Sequence, residues 1–168
     1  MSHAEREHKA HAPPSVRFAI VTVSDSRDLY HDESGGLLAD LAQQAGHTVA
    51  RRTLVRDEPD EIRAALREAL TSGADVLVFT GGTGIARRDV TVETVAPRFG
   101  KRLDGFGELF RMLSHQSLGS AAMASRADAG VIAERLVFLL PGSPDACRLA
   151  MERLILPEVG HLVGLLRR

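Results

Sequence analysis

Apolar residues in this chain fall into short solid runs separated by longer stretches of helical spacing. Residues 16–23 are apolar on both faces, the pattern of a strand covered from both sides. Residues 34–45 set Leu37, Leu38, Leu41 and Ala45 near a 3.6-residue period, and Gly46 supplies the stop. Residues 48–55 predict a strand, and Arg51 and Arg52 put it toward a sheet edge. Residues 60–71 bring Ile62, Leu66 and Leu70 onto one stripe flanked by Ala65 and Ala69, an amphipathic helix that Gly73 ends. Residues 74–79 are again a buried strand, and it opens into a glycine-rich turn. Strand and helix alternating in this way predict an α/β domain with a mostly parallel sheet.

The second half breaks the alternation. Residues 91–96 predict a short helix that Pro97 ends or kinks. Residues 105–118 carry Phe106, Leu109, Phe110 and Leu113 on one helical stripe, which suits either the core or an interface between copies. Residues 129–132 and 136–140 predict two strands around a tight turn, an antiparallel addition to the sheet. Residues 145–156 predict a helix, and Pro157 begins a further helical stretch through Leu166. The expected architecture is three-layered, with helices on both faces of the sheet. In such sheets ligands bind beyond the carboxyl ends of the strands. Those ends carry Ser24, Asp25 and Ser26, then Asp57, then the turn at residues 80–84, so all three loops are expected on one edge.

Length and composition narrow the function classes. A chain of 168 residues has the size of one domain, expected over residues 15–168. It is 44% hydrophobic and 26% charged with a net charge of −1, which argues against a nucleic-acid partner. One cysteine, Cys147, excludes an intrachain disulfide and fits a reducing, cytoplasmic compartment. It sits among apolar residues and reads as a small core residue rather than a nucleophile. No run is long enough to span a membrane, and no secretory signal opens the chain. Residues 1–14 carry His3, His8 and His11 among charges and end in two prolines, which predicts a mobile tail. No cysteine or carboxylate pattern completes a metal site there.

The chemistry concentrates in Thr80-Gly81-Gly82-Thr83-Gly84-Ile85-Ala86-Arg87-Arg88-Asp89-Val90-Thr91. A strand that opens into such a turn exposes unpaired backbone N–H groups, which cradle phosphate or another anion. Glycines that only permit a tight turn are the plainer alternative. The P-loop ending Gly-Lys-Ser/Thr is absent, and a dinucleotide fingerprint started at Gly82 requires glycine where Arg87 stands. No serine-hydrolase elbow occurs either.

This segment resembles the signature of the MogA/MoaB family of molybdenum-cofactor biosynthesis proteins. Four further blocks carry the resemblance in order. They are Val21-Thr22-Val23-Ser24-Asp25-Ser26 with Asp32-Glu33-Ser34-Gly35-Gly36, then Val55-Arg56-Asp57-Glu58, then Gly105-Phe106-Gly107-Glu108 with Arg111-Met112-Leu113-Ser114, then Leu140-Pro141-Gly142-Ser143-Pro144 with Ala146-Cys147. The later blocks are closer to MoaB than to MogA.

The resemblance implies the fold of that family and a molybdopterin adenylyltransferase. Such enzymes attach AMP from ATP to the terminal phosphate of molybdopterin and release pyrophosphate. It implies that Asp57 and Asp89 are catalytic and hold Mg²⁺, which one or two carboxylates and substrate phosphates bind together. A helix cap at Asp89 and a turn at Asp57 are the alternatives. Candidate contacts to nucleotide and pterin are Ser24, Asp25, Ser26, Thr80, Gly81, Gly82, Thr83, Gly84 and Arg88. Pro141, Gly142, Ser143 and Pro144 are candidates for the pterin's terminal phosphate. Glu108 and Arg126 are further candidates, and structural ion pairs would explain them equally well. A homotrimer or homohexamer and a molybdenum-insertion protein as partner are implied too. Phe106 and Phe110 are the expected interface patch. A non-catalytic molybdopterin-binding scaffold and a CinA-like pyrophosphate hydrolase remain alternatives on the same fold.

Overall fold

A computed structural model describes residues 13–168, so the expectation for His3, His8 and His11 lies outside the described residues. Six strands form one sheet in the order β2-β1-β3-β6-β5-β4. They are β1 (Arg17–Val23), β2 (Thr48–Val55), β3 (Val76–Thr80), β4 (Lys101–Arg102), β5 (Asp128–Ile132) and β6 (Arg135–Leu140). β2, β1, β3 and β6 run parallel, and β5 and β4 are antiparallel to their neighbours. The expected sheet, its antiparallel addition and the edge position of β2 are all present. The short strand β4 was not foreseen.

Alternation along the strands splits the core in two. Phe18, Ile20, Val76, Val78, Phe138 and Leu140 face one side, while Ala19, Val21, Leu77, Phe79, Val137 and Leu139 face the other. The first side is covered by α1 (Glu33–Gln44), α4 (Asp104–Leu118), α5 (Pro144–Ala150) and α6 (Leu156–Leu166). The second is covered by α2 (Pro59–Thr71) and α3 (Thr91–Val95). Strands buried on both faces need the continuous apolar runs that the sequence shows.

Local chemistry starts the helices. The buried Asp32 carboxylate caps α1 by accepting from Gly35 N–H at 2.9 Å, and it also accepts from Thr22 Oγ1 at 2.7 Å and Arg52 at 3.1 Å. Pro59 occupies the first turn of α2, followed there by Asp60 and Glu61. The β5–β6 hairpin turns on Ala133 and Glu134, whose φ values of 47° and 60° are those of a type I′ turn.

One expectation is borne out and one is corrected. Pro157 stands in the first turn of α6, which runs through Leu166 as expected, and the helix before it leads into it without a break. α5 continues through a π-helical stretch, Met151–Ile155, into α6, and Leu156 N–H donates to Met151 O five residues back. A proline ring crowds the carbonyl four residues before it and offers no N–H, and the wider π turn absorbs both defects. Phe106 and Phe110 do not form an exposed patch. They are 8% and 1% exposed, their rings lie 6.2 Å apart, and Phe106 meets Phe138 edge-on at 5.1 Å. α4 instead exposes Leu109, Met112 and Leu118.

Truncating a fully buried phenylalanine costs about 3–5 kcal/mol. Phe110→Ala is therefore expected to lose that much stability in urea titrations. Leu109→Ala, at a half-exposed position of the same helix, is expected to lose about 0.5 kcal/mol or less.

Candidate functional site

Register brings the loops together. Thr22 pairs with Thr80, Thr80 with Leu140, and Val23 with Val55, so four parallel strands end level. The loops after them carry Asp25, Asp57, the glycine turn and residues 141–144 to one edge, as the alternation implied.

The glycine turn is built by contact. Gly81 has φ 100°, and a β-carbon there would stand 2.1 Å from Val23 O. Gly82 has φ 63°, and its β-carbon would stand 2.4 Å from Thr91 Oγ1 and 2.7 Å from Asp57 Oδ1. Only glycine satisfies both demands. Thr91, buried at the start of α3, locks the turn by donating Oγ1 to Gly81 O at 2.8 Å and N–H to Gly82 O at 2.9 Å. Among the described residues the N–H groups of Gly82, Thr83 and Gly84 have no protein acceptor.

The last strand ends in a matching loop. Thr80 Oγ1 donates to Pro141 O at 2.9 Å, and the buried Ser34 donates to Gly142 O at 2.7 Å. Ser143 Oγ accepts from Ala146 N–H at 3.2 Å and caps α5, with Pro144 in its first turn. A β-carbon on Gly142 would lie 3.3 Å from Gly81 Cα, so the two loops touch backbone to backbone. Both loops line a cavity of about 840 Å³. Residues 81–84, Asp89, Gly142, Ser143 and Asp145 line it together with Phe110, Ser114, Ser117, Leu118 and Leu149.

Beside the cavity stands a charged cluster. Asp25 accepts from Asp57 N–H at 3.1 Å and from Arg88 Nη2 at 2.6 Å. Arg88 also donates to Glu58 at 3.0 Å. The Arg88 bond holds the Asp25 carboxyl below its ordinary range. The Asp57 carboxyl is pushed up, first by burial and then by the charges of Asp25 and Asp89. Asp89 Oδ2 accepts from Ala86 N–H at 2.8 Å within its own loop. Asp89 is no helix cap, because Val90 occupies that position of α3.

Among the described residues no three His, Cys, Asp or Glu side chains form a metal cage. The donor set fits a cation bound through one or two carboxylates with ligand oxygens completing the shell, as Mg²⁺ is. The charges of Asp25 and Asp89, which add to burial in raising Asp57, are what such a cation offsets.

Several predicted residues have other work. Ser24 N–H donates to Val55 O at 2.9 Å, and Ser26 N–H to Ser24 Oγ at 3.4 Å, so both shape the turn after β1. Glu108 lines a separate cavity of about 480 Å³ with Arg102 and Arg111, and Arg126 stands on its wall. Arg126 pairs with Glu93. Cys147 is buried 3.1 Å from Thr80, and burial pushes its thiol up to about 11, so it packs and does not react. Sequence reading missed Thr91 and Ser34 as loop anchors, and Ser114 and Ser117 as cavity wall. The only local signal was a polar residue interrupting an apolar helix stripe.

A three-layer α/β domain whose two glycine loops meet at the carboxyl ends of adjacent parallel strands defines a class of ligand-binding proteins. Residues 19–161 match the family described as probable molybdopterin binding domain, and the chain belongs to that family. It is 47% identical over 165 residues to molybdenum cofactor biosynthesis protein B of Bacillus subtilis (strain 168), covering 97% of each chain. A crystal structure of a molybdenum cofactor biosynthesis protein B superposes with TM-score 0.90 at 47% identity, covering 94% of this chain and 99% of the other. The tungsten cofactor synthesizing protein MoaB from Pyrococcus furiosus superposes with TM-score 0.85 at 41% identity, covering 94% and 100%. The MogA/MoaB resemblance is thereby borne out. Among the described residues no helix is long and apolar enough to cross a membrane.

Gly82→Ala is expected to cost about 1–3 kcal/mol, since it forces a side chain into left-handed backbone against Thr91. Gly105→Ala, with open space around it in α4, is expected to gain about 0.4–1 kcal/mol. Denaturant midpoints of the two variants compare them directly. For Asp57 the folded state raises the pKa, so the folded state binds more protons than the unfolded chain. The stability that Asp57 contributes is present below about pH 4 and is lost as pH rises through the folded pKa. Asp57→Asn is therefore expected to melt higher than the parent at pH 7. That advantage should vanish near pH 3.5 in thermal scans.

Proposed function

We propose that this protein acts in molybdenum cofactor biosynthesis as a molybdopterin adenylyltransferase. The reading is carried by one observation. Three unspent backbone N–H groups, at Gly82, Thr83 and Gly84, border a cavity beside a partly buried aspartate, Asp57. Donors without partners suit anionic oxygen, and they require no reorganisation when it arrives.

In the proposed reaction the terminal phosphate oxygen of molybdopterin attacks the α-phosphorus of ATP. A new P–O bond forms, the bond to the β-phosphate oxygen breaks, and pyrophosphate leaves with that electron pair. The substrate supplies the nucleophile, so no protein nucleophile is needed. The inert Cys147 accords with this. Asp57 and Asp89 are the residues that would hold Mg²⁺, which would neutralise charge on the triphosphate. The loop amides hold phosphate oxygens in place. Ser143, capping α5, keeps its loop against Gly81 and so keeps the two substrates in one cavity. Asp25 and Glu58 hold Arg88 at the rim, where its guanidinium offsets part of the carboxylate field on Asp57. Positioning and charge neutralisation supply the rate. Phe110, Leu118 and Leu149 give the cavity an apolar wall suited to a flat ring system.

The test is pyrophosphate release from ATP with Mg²⁺, with and without molybdopterin. Release that depends on molybdopterin is expected. Asp89→Asn should lower it by about 10²-fold or more while pterin binding persists. No release would leave a molybdopterin-binding scaffold. Release without the pterin would mean a CinA-like hydrolase.

A further inference from the structure

We propose that Arg126 is a positioning residue, which sets the aim of the glycine-loop amides from the far side of the loop without touching the ligand. The inference rests on reading that loop as an anion cradle. Arg126 Nε donates to Thr83 O at 3.2 Å, and Nη2 donates to Asp89 O at 3.4 Å. Both terminal nitrogens also bond the Glu93 carboxylate on α3, one of them at 3.3 Å. One side chain thus ties the start of the loop, its end and the helix that follows.

Each guanidinium nitrogen already donates to a protein acceptor, and four of the five N–H groups are in use, Nε on Thr83 O, Nη1 on Glu93, and Nη2 on both Asp89 O and Glu93. Position points the same way. Thr83, Gly84 and Asp89 line the 840 Å³ cavity, whereas Arg126 lines the separate 480 Å³ cavity. The two linings share only Ser125, the residue before Arg126. In a trans peptide the carbonyl and the next N–H point in opposite directions. Drawing Thr83 O toward Arg126 therefore turns the Gly84 N–H away from Arg126, and Gly84 lines the larger cavity. The hold on Asp89 O keeps the far end of the loop, and with it the Asp89 carboxylate, at a set distance from that amide. Arg suits this task because its planar fork binds a carbonyl and a carboxylate together, which a lysine ammonium does not reproduce.

The test uses the full ¹⁵N-labelled chain titrated with inorganic pyrophosphate. Amide shifts are followed at Gly84, with Ser143 as the comparator on the other loop. In the parent protein the Gly84 amide should shift saturably. In Arg126→Ala that shift should shrink, with affinity weaker by about tenfold or more, the scale for losing an orienting partner one step from the ligand. Arg126→Lys keeps the charge and should not restore it. This variant also covers the case in which the alanine variant fails to fold, which the spectrum itself reports. Unchanged Gly84 titrations in the variants would overturn the role of Arg126 alone, and full rescue by lysine would reduce it to a charge effect. A silent Gly84 in the parent would overturn the anion cradle itself, and the positioning role with it.

Discussion

The site hangs on a close approach of backbone to backbone. At Gly81 the chain passes so near Val23 that a β-carbon would sit 2.1 Å from its carbonyl oxygen, and Gly142 lies against the same residue. Three strand ends are drawn together at that point. Any side chain there would pry β1 from β3 or open the gap between the two loops. The register of β1, β3 and β6 depends on packing over the whole sheet, yet it is read out at this contact.

Buried hydroxyls hold the arrangement. Thr22 is bound to Asp32, Thr80 to Pro141 O, Thr91 to Gly81 O and Ser34 to Gly142 O. All four residues are at most 2% exposed. Each bond adds only about 1 kcal/mol net, but an unmade one leaves a buried polar group costing about 1–3 kcal/mol. The hydroxyls therefore act by exclusion. Alternative loop conformations would strand them, so one conformation survives.

Electrostatics at the rim work in the opposite sense. Asp25, Asp57 and Asp89 crowd together, and Arg88 answers only part of their charge. Burial first, and then that unanswered charge, disfavours the ionised form of Asp57 in the folded state. A site that stores unfavourable field is ready for a cation or a polyphosphate complex, whose binding relieves it. Arg126 is set apart from this balance, bonded to Glu93 and to two loop carbonyls.

Local pattern determined much of this. The apolar runs of β1 and β3, the stripe of α2 with Pro59 at its start, the tight β5–β6 turn and the glycine loop are all legible from neighbours a few residues apart, because period and turn chemistry are local. The gathering of Asp25, Asp57 and residues 80–84 on one edge also followed, since parallel strands place their carboxyl ends together. Tertiary structure decided the rest. Whether Phe106 and Phe110 faced core or partner depended on Phe138, a residue of β6. The unbroken path from α5 through the π turn into α6 depended on packing strong enough to carry Pro157. Thr91, Ser34 and Arg126 found their partners across gaps of 10, 108 and 43 residues, at Gly81, Gly142 and Thr83. No periodicity reports such pairings, because they exist only once the sheet has brought its strand ends level.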